Sequence, residues 1–108
     1  MRPKSVLRAL YSADVDPSAL EKLPEDGGLD YEALGFPSQV VATSLFREGI
    51  LRPRGKSMVQ NSRGKNVLRT IWGRGVHFEA FMDYWRNIEI QCKGRLNAVS
   101  EIQQPIAV

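Results

Sequence analysis

The sequence predicts an α+β domain built from three or more short helices, a small antiparallel β-hairpin and an additional C-terminal helix. Three observations carry that reading. Proline and glycine divide the first half into short helical segments, at Asp16-Pro17, at Gly35-Phe36-Pro37 and at Gly49. Asn66 to Trp72 then alternates β-branched and aromatic residues as a half-buried strand does. Phe78, Phe81, Met82 and Trp85 follow at the spacing of one helical face.

Taken in order, Val6, Leu7, Leu10 and Tyr11 predict an amphipathic helix over Ser5 to Ser12. Asp16 reads as an N-cap and Pro17 as the first residue of a second short helix, which Pro24 ends. Asp30 caps a third, Tyr31 to Leu34, closed by Gly35. The fourth and best-defined helix runs from about Pro37 to Glu48 and stops at Gly49. Val40, Val41, Leu45 and Phe46 form its apolar side, while Gln39, Thr43 and Arg47, four apart, share the opposite face.

Ile50-Leu51-Arg52 reads as a short strand confined by Pro53, and Arg54 to Asn66 as a flexible basic loop. Val67, Arg69 and Ile71 alternate with Leu68, Thr70 and Trp72 in the second strand, and Gly73-Arg74-Gly75 reads as a turn. Val76 to Phe81 also alternates as a strand would, but the spacing of Phe78, Phe81, Met82 and Trp85 favours a helix over about Phe78 to Asn87, which precedes a short strand at Ile88 to Cys92. Residues 1–95 are expected to form one domain, with 96–108 a loosely ordered tail, although its apolar end, Ile102 to Val108, also suits pairing with a second chain. No feature sets an oligomeric state.

Composition excludes several classes. At 108 residues, 43% hydrophobic and 25% charged, the chain has the make-up of one globular domain. One cysteine, Cys92, excludes an internal disulfide, and with the single His77 it excludes the usual zinc sites. No apolar run approaches the ~20 residues of a membrane span. No secretory signal is recognisable, so a cytoplasmic protein without membrane partners is expected. No phosphate-binding glycine loop is present, and a lone histidine supplies no nucleophile–base pair. The expectation is a non-enzyme with no catalytic residues, cofactor or metal.

The net charge of +3 conceals an asymmetry. Residues 1–46 hold four basic and seven acidic side chains, residues 47–75 eight basic and only Glu48, and residues 76–108 three basic and four acidic. The middle stretch therefore carries +7, more than the whole excess.

Two short helices joined through Gly35-Phe36-Pro37 have the spacing of a helix-turn-helix. Followed by strand, basic loop and strand, they outline a winged helix. In that frame the helix 37–48 enters the major groove of duplex DNA, with Gln39 suited to an adenine edge, Arg47 to a guanine edge and Thr43 to a thymine methyl or a phosphate. Arg54, Lys56, Arg63 and Lys65 form a wing on the backbone or in the minor groove, with Arg52, Arg69 and Arg74 holding phosphates. Ser57, Asn61, Ser62 and Asn66 add hydrogen-bonding groups.

Two other readings use the same residues. The basic hairpin also suits docking to an acidic protein partner. Exposed Trp72 or Tyr84 would instead suit stacking on RNA or single-stranded DNA. The simplest alternative is a solvated charged hairpin beside the polar side of an ordinary surface helix. Core packing is the expected role for most of the aromatic set Trp72, Phe78, Phe81, Tyr84 and Trp85. Cys92 reads as a buried small hydrophobe, and His77 as structural or at the surface.

The run Leu34-Gly35-Phe36-Pro37, the apolar helix, and then Leu45-Phe46-Arg47-Glu48-Gly49-Ile50-Leu51-Arg52-Pro53 before a polar stretch and a strand resemble winged-helix DNA-binding domains. More narrowly they resemble the C-terminal region of conjugative relaxases, the TraI-type nickase/helicase-like proteins, over roughly residues 30–85. That resemblance implies an accessory or regulatory DNA-binding domain without nuclease chemistry, in conjugation, plasmid or other mobile-element biology.

Overall fold

A computed structural model describes residues 1–90. Helix α1 (Pro3–Ser12) begins on proline and buries Val6 and Leu10. It ends in a left-handed residue, Asp14 at φ 58°, with the N–H of Val15 donating to the Leu10 carbonyl at 2.9 Å and that of Asp14 to Tyr11 at 3.0 Å. These two bonds close a Schellman cap in which Val15 packs back on the core. A 3₁₀ segment follows (Pro17–Lys22), opened as expected by Asp16, whose side chain accepts from the Ser18 N–H at 2.9 Å. That bond holds the Asp16 carboxyl below its ordinary pKa.

The helix expected at Tyr31 to Leu34 is a single turn. The N–H of Leu34 reaches the Asp30 carbonyl at 3.2 Å, and Gly35 at φ 80° ends the turn at once. Asp30 does not cap it; its carboxylate faces Arg69 instead. The chain just before this turn pairs with a strand: Leu29 and Trp72 exchange N–H···O bonds of 2.9 and 2.8 Å. A Cβ at Gly28 would collide with the Trp72 carbonyl, so glycine permits this approach.

Helix α2 (Gln39–Arg47) starts two residues later than expected, after Ser38, and Gly49 at φ 79° closes it. Its buried side is Val41, Ala42 and Leu45. Val40 is 72% exposed and Phe46 46%, so the expected apolar face is rotated. Residues 41, 42 and 45 share one side, which places Val40 almost opposite and Phe46 at the margin. Phe46 packs there against Trp72, with ring centres 6.1 Å apart.

Strand β1 (Leu51–Gln60) is three times the expected length and pairs antiparallel with β2 (Asn66–Arg74). Pro53 lies inside it, beside a bulge. Between Pro53, opposite Trp72, and Lys56, opposite Thr70, β1 has two residues where β2 has only Ile71. Most of the expected flexible loop is therefore strand, and the turn is only residues 61–65. Gly73 and Arg74, expected in a turn, continue β2. With Leu29 on the outer edge of β2, the order across the sheet is Leu29, β2, β1.

Helix α3 (residues 78–90) is present as the aromatic spacing requires, and it extends through residues 88–90 where a strand was expected. The remainder of that expected strand, Cys92 and the tail lie outside the described residues. Phe78, Phe81, Met82 and Trp85 enter a core shared with Leu10, Leu20, Leu34, Leu45 and Ile50. Trp72 is buried with them, at 4% exposure. No helix among the described residues is long and apolar enough to cross a membrane.

Candidate nucleic-acid interface

The expected site residues fall into two groups. Gln39, Thr43 and Arg47 lie together along the open side of α2, where they line a shallow depression with Val40 and Ser44. The Thr43 hydroxyl donates back to the Gln39 carbonyl at 3.1 Å and that of Ser44 to Val40 at 3.0 Å. Both hydroxyl oxygens retain acceptor capacity. Ser44 was not named in the sequence reading, and Val40 was assigned there to the apolar side, because a valine beside Val41 counts as core until the phase of the helix is known.

The hairpin has two unlike faces. Residues on alternate positions share a face, and so do cross-strand partners. One face therefore carries Ser57 and Val59 with Val67 and Arg69. It lies against the 30–32 segment: Arg69 sits 4.4 Å above the Tyr31 ring, hydrogen-bonds Glu32 and approaches Asp30 at 3.7 Å. The Ser62 N–H also donates to Glu32, at 3.0 Å. The hydrogen bond from Arg69 keeps the Glu32 carboxyl below the usual glutamate pKa. Burial opposes that shift, and Ser62 adds to it.

The other face is open. It carries Lys56, Met58 and Gln60 with Thr70, Leu68 and Asn66, and it continues on β2 into Trp72, against which Phe46 of α2 packs. The open face of the hairpin thus runs on from the last turn of α2. Met58 and Leu68, directly opposite each other, are 60% and 61% exposed. Neither was singled out in the sequence, where Leu68 looks like an ordinary strand residue and Met58 falls within the expected flexible loop.

The turn is built by Asn61. Its Oδ1 accepts from the N–H groups of Arg63 and Lys65, both at 2.9 Å, and its own N–H donates to the Lys65 carbonyl at 2.8 Å. Gly64 supplies the left-handed position, φ 80°. The side-chain oxygen of Asn61 is therefore engaged in the turn, while the side chains of Arg63 and Lys65 extend outward.

The basic residues separate on the same lines. Arg69 is 15% exposed and held by Asp30, Glu32 and Tyr31. Arg74 donates to the Leu23 carbonyl at 2.9 and 3.2 Å, pairs with Glu79 at 2.8 Å and covers the Phe78 ring. Both are tied into the body rather than presented as phosphate ligands. Arg54 pairs at 3.2 Å with Asp26, itself 96% exposed, a link of little strength. Arg47, Arg52, Lys56, Arg63 and Lys65 have no side-chain partner among the described residues and are exposed.

Burial of Trp72 removes one of the two aromatic platforms expected for single strands, leaving half-buried Tyr84 beside the start of α1. Among the described residues no three His, Cys, Asp or Glu side chains gather as a metal-binding group. No protein-family model matches the chain, and no curated protein or solved structure is significantly similar to it.

Proposed function

We propose that the protein binds duplex DNA as a winged helix, with α2 as the reading helix and the β1–β2 hairpin as the wing. The observation that carries this reading is the sorting of the cations. Arg69 and Arg74, on the body side of the hairpin, are neutralised by specific partners, whereas Arg47 at the end of α2, Lys56 on the open face and Arg63 and Lys65 at the turn have none among the described residues. Arg52, beside Gly73, and Lys4, Arg8 and Lys22, away from the hairpin, are also unpaired among those residues. Unpaired cations along one surface are what a polyanion requires, because each phosphate contact releases condensed counterions.

The strand order adds support. A segment before the reading helix pairs with the second hairpin strand, and the first hairpin strand follows that helix directly. The single turn at 31–35 stands where a short helix, Tyr31 to Leu34, was expected, so what precedes α2 is less than a full helix-turn-helix. Within this reading Gln39, Val40, Thr43, Ser44 and Arg47 face base edges, and the hairpin cations hold the backbone.

The test is a salt titration with random-sequence duplex, single-stranded DNA and RNA probes. Duplex binding that weakens steeply with salt is expected. Failure to bind all three would overturn the reading in favour of an acidic protein partner.

A further inference from the structure

The Met58–Leu68 pair is the feature that phosphate binding leaves unexplained. Two large apolar side chains stand opposite each other on an open strand face, each about three-fifths exposed. Their neighbours on that face are Lys56, Gln60, Asn66 and Thr70, so the pair forms an apolar point in a polar and cationic surround. The whole stretch from Leu51 to Arg74 contains seven basic residues and no Asp or Glu. A second copy of this chain laid on the same face would bring like charges together. A polyanion with apolar surface between its charges would satisfy both features.

We propose that Met58 and Leu68 form a wedge that enters a base step of duplex DNA and bends the helix at that point. This rests on the duplex-binding reading. Apolar side chains that part a base step unstack it at a cost, which added backbone contacts repay, and such wedges bend DNA by roughly 20–90°. The parts here fit that division. The wedge stands three ladder rungs from the turn, with Lys56 beside it on β1 and Arg63 and Lys65 beyond it, so cations reach the backbone on either side of the entry point. The hairpin is also braced to take the load, since Glu32 holds both Arg69 and the Ser62 N–H on its far face. Pyrimidine–purine steps unstack most readily, so the wedge favours DNA containing TA steps over stiff A-tracts.

The experiment is energy transfer between dyes at the two ends of duplexes of about 25 base pairs, one centred on TA steps and one on an A-tract. It uses the wild-type chain and the M58A/L68A variant. The wild type is expected to shorten the end-to-end distance and to prefer the TA probe several-fold. The variant, which keeps every cation, is expected to bind within about threefold at low salt, without bending and without the TA preference. Unchanged melting of the free variant shows that it is folded. Binding by the wild type with no bend, or equal bending by both proteins, overturns the wedge and leaves duplex binding intact. No duplex binding by the wild type overturns both.

Discussion

The backbone N–H of Ser62 donates to the Glu32 carboxylate at 3.0 Å, fastening the hairpin turn to a residue thirty positions earlier in the chain. The same carboxylate receives the Arg69 guanidinium, so one side chain ties both the turn and β2 to the body. Because Arg69 holds the Glu32 pKa below its ordinary value, the sign of the pH effect is fixed. The stabilisation is complete above the unfolded value, about 4.3, and is lost as pH falls through the lower folded value. Hydrogen exchange should therefore show the Ser62 amide losing protection in acid before the β1–β2 ladder does. In E32Q its protection should already be reduced at neutral pH. Equal protection in both proteins across that range would show that Glu32 does not brace the turn.

Replacing Arg52, Lys56, Arg63 and Lys65 together with alanine should weaken duplex binding and flatten its salt dependence. At about 0.9 units of slope per phosphate contact, the loss for four contacts is roughly 3–4 units. An unchanged slope would remove the hairpin from the interface.

Arg74 should behave in the opposite way. Its guanidinium supplies two hydrogen bonds to the Leu23 carbonyl. R74A should destabilise the fold by about 1–3 kcal/mol in urea titration. Affinity per folded molecule should hardly change. A large loss of affinity with stability intact would return Arg74 to the phosphate-binding set.

Gly28 tests the third segment of the sheet. In G28A the added methyl meets the Trp72 carbonyl and the Ile71 side chain, so either Leu29 or β2 must shift. A cost of about 1–3 kcal/mol is expected, with the Leu29 and Trp72 amides exchanging faster. A variant as stable as the wild type would mean that the Leu29 pairing contributes little.

On α2, R47A and Q39A should reduce discrimination between duplexes, by about 1–3 kcal/mol for each bidentate base contact removed. Binding to random sequence should fall less. Site selection from a randomised pool is the direct measurement. Identical selected sequences for wild type and both variants would leave α2 without a reading role.

Much of the architecture was legible in the residues. Local chemistry marked the C-terminal end of α2 and the start of the 3₁₀ segment, because Gly49 and Asp16-Pro17 act within one turn of where they stand. The aromatic spacing at 78–85 fixed α3 and its buried side. What could not be read depends on contacts far along the chain. Val40 and Val41 look alike until α1 and β1 choose which side of α2 is covered. Arg69 and Lys56 look like members of one charge run. Only the fold brings Asp30, Tyr31 and Glu32 to the first of them. The length of β1 was missed because Pro53 and Gly55 argue locally against a strand. Pairing along β2 outweighs both, with the irregularity confined to the bulge.

That bulge has a consequence for the hairpin as a whole. Gly55, at φ 93° with open space around it, occupies the extra place between Pro53 and Lys56. Strict alternation would put Arg54, Lys56 and Met58 on a single side. The added step resets the count, so Arg54 lies across Gly73 toward Asp26, while Lys56 and Met58 turn the other way. Were the ladder regular from Pro53 at the same chain length, Lys56 would stand opposite Arg69 and Met58 opposite Val67. The residue without a side chain therefore decides which chemistry the hairpin turns toward its surroundings and which it keeps for the body.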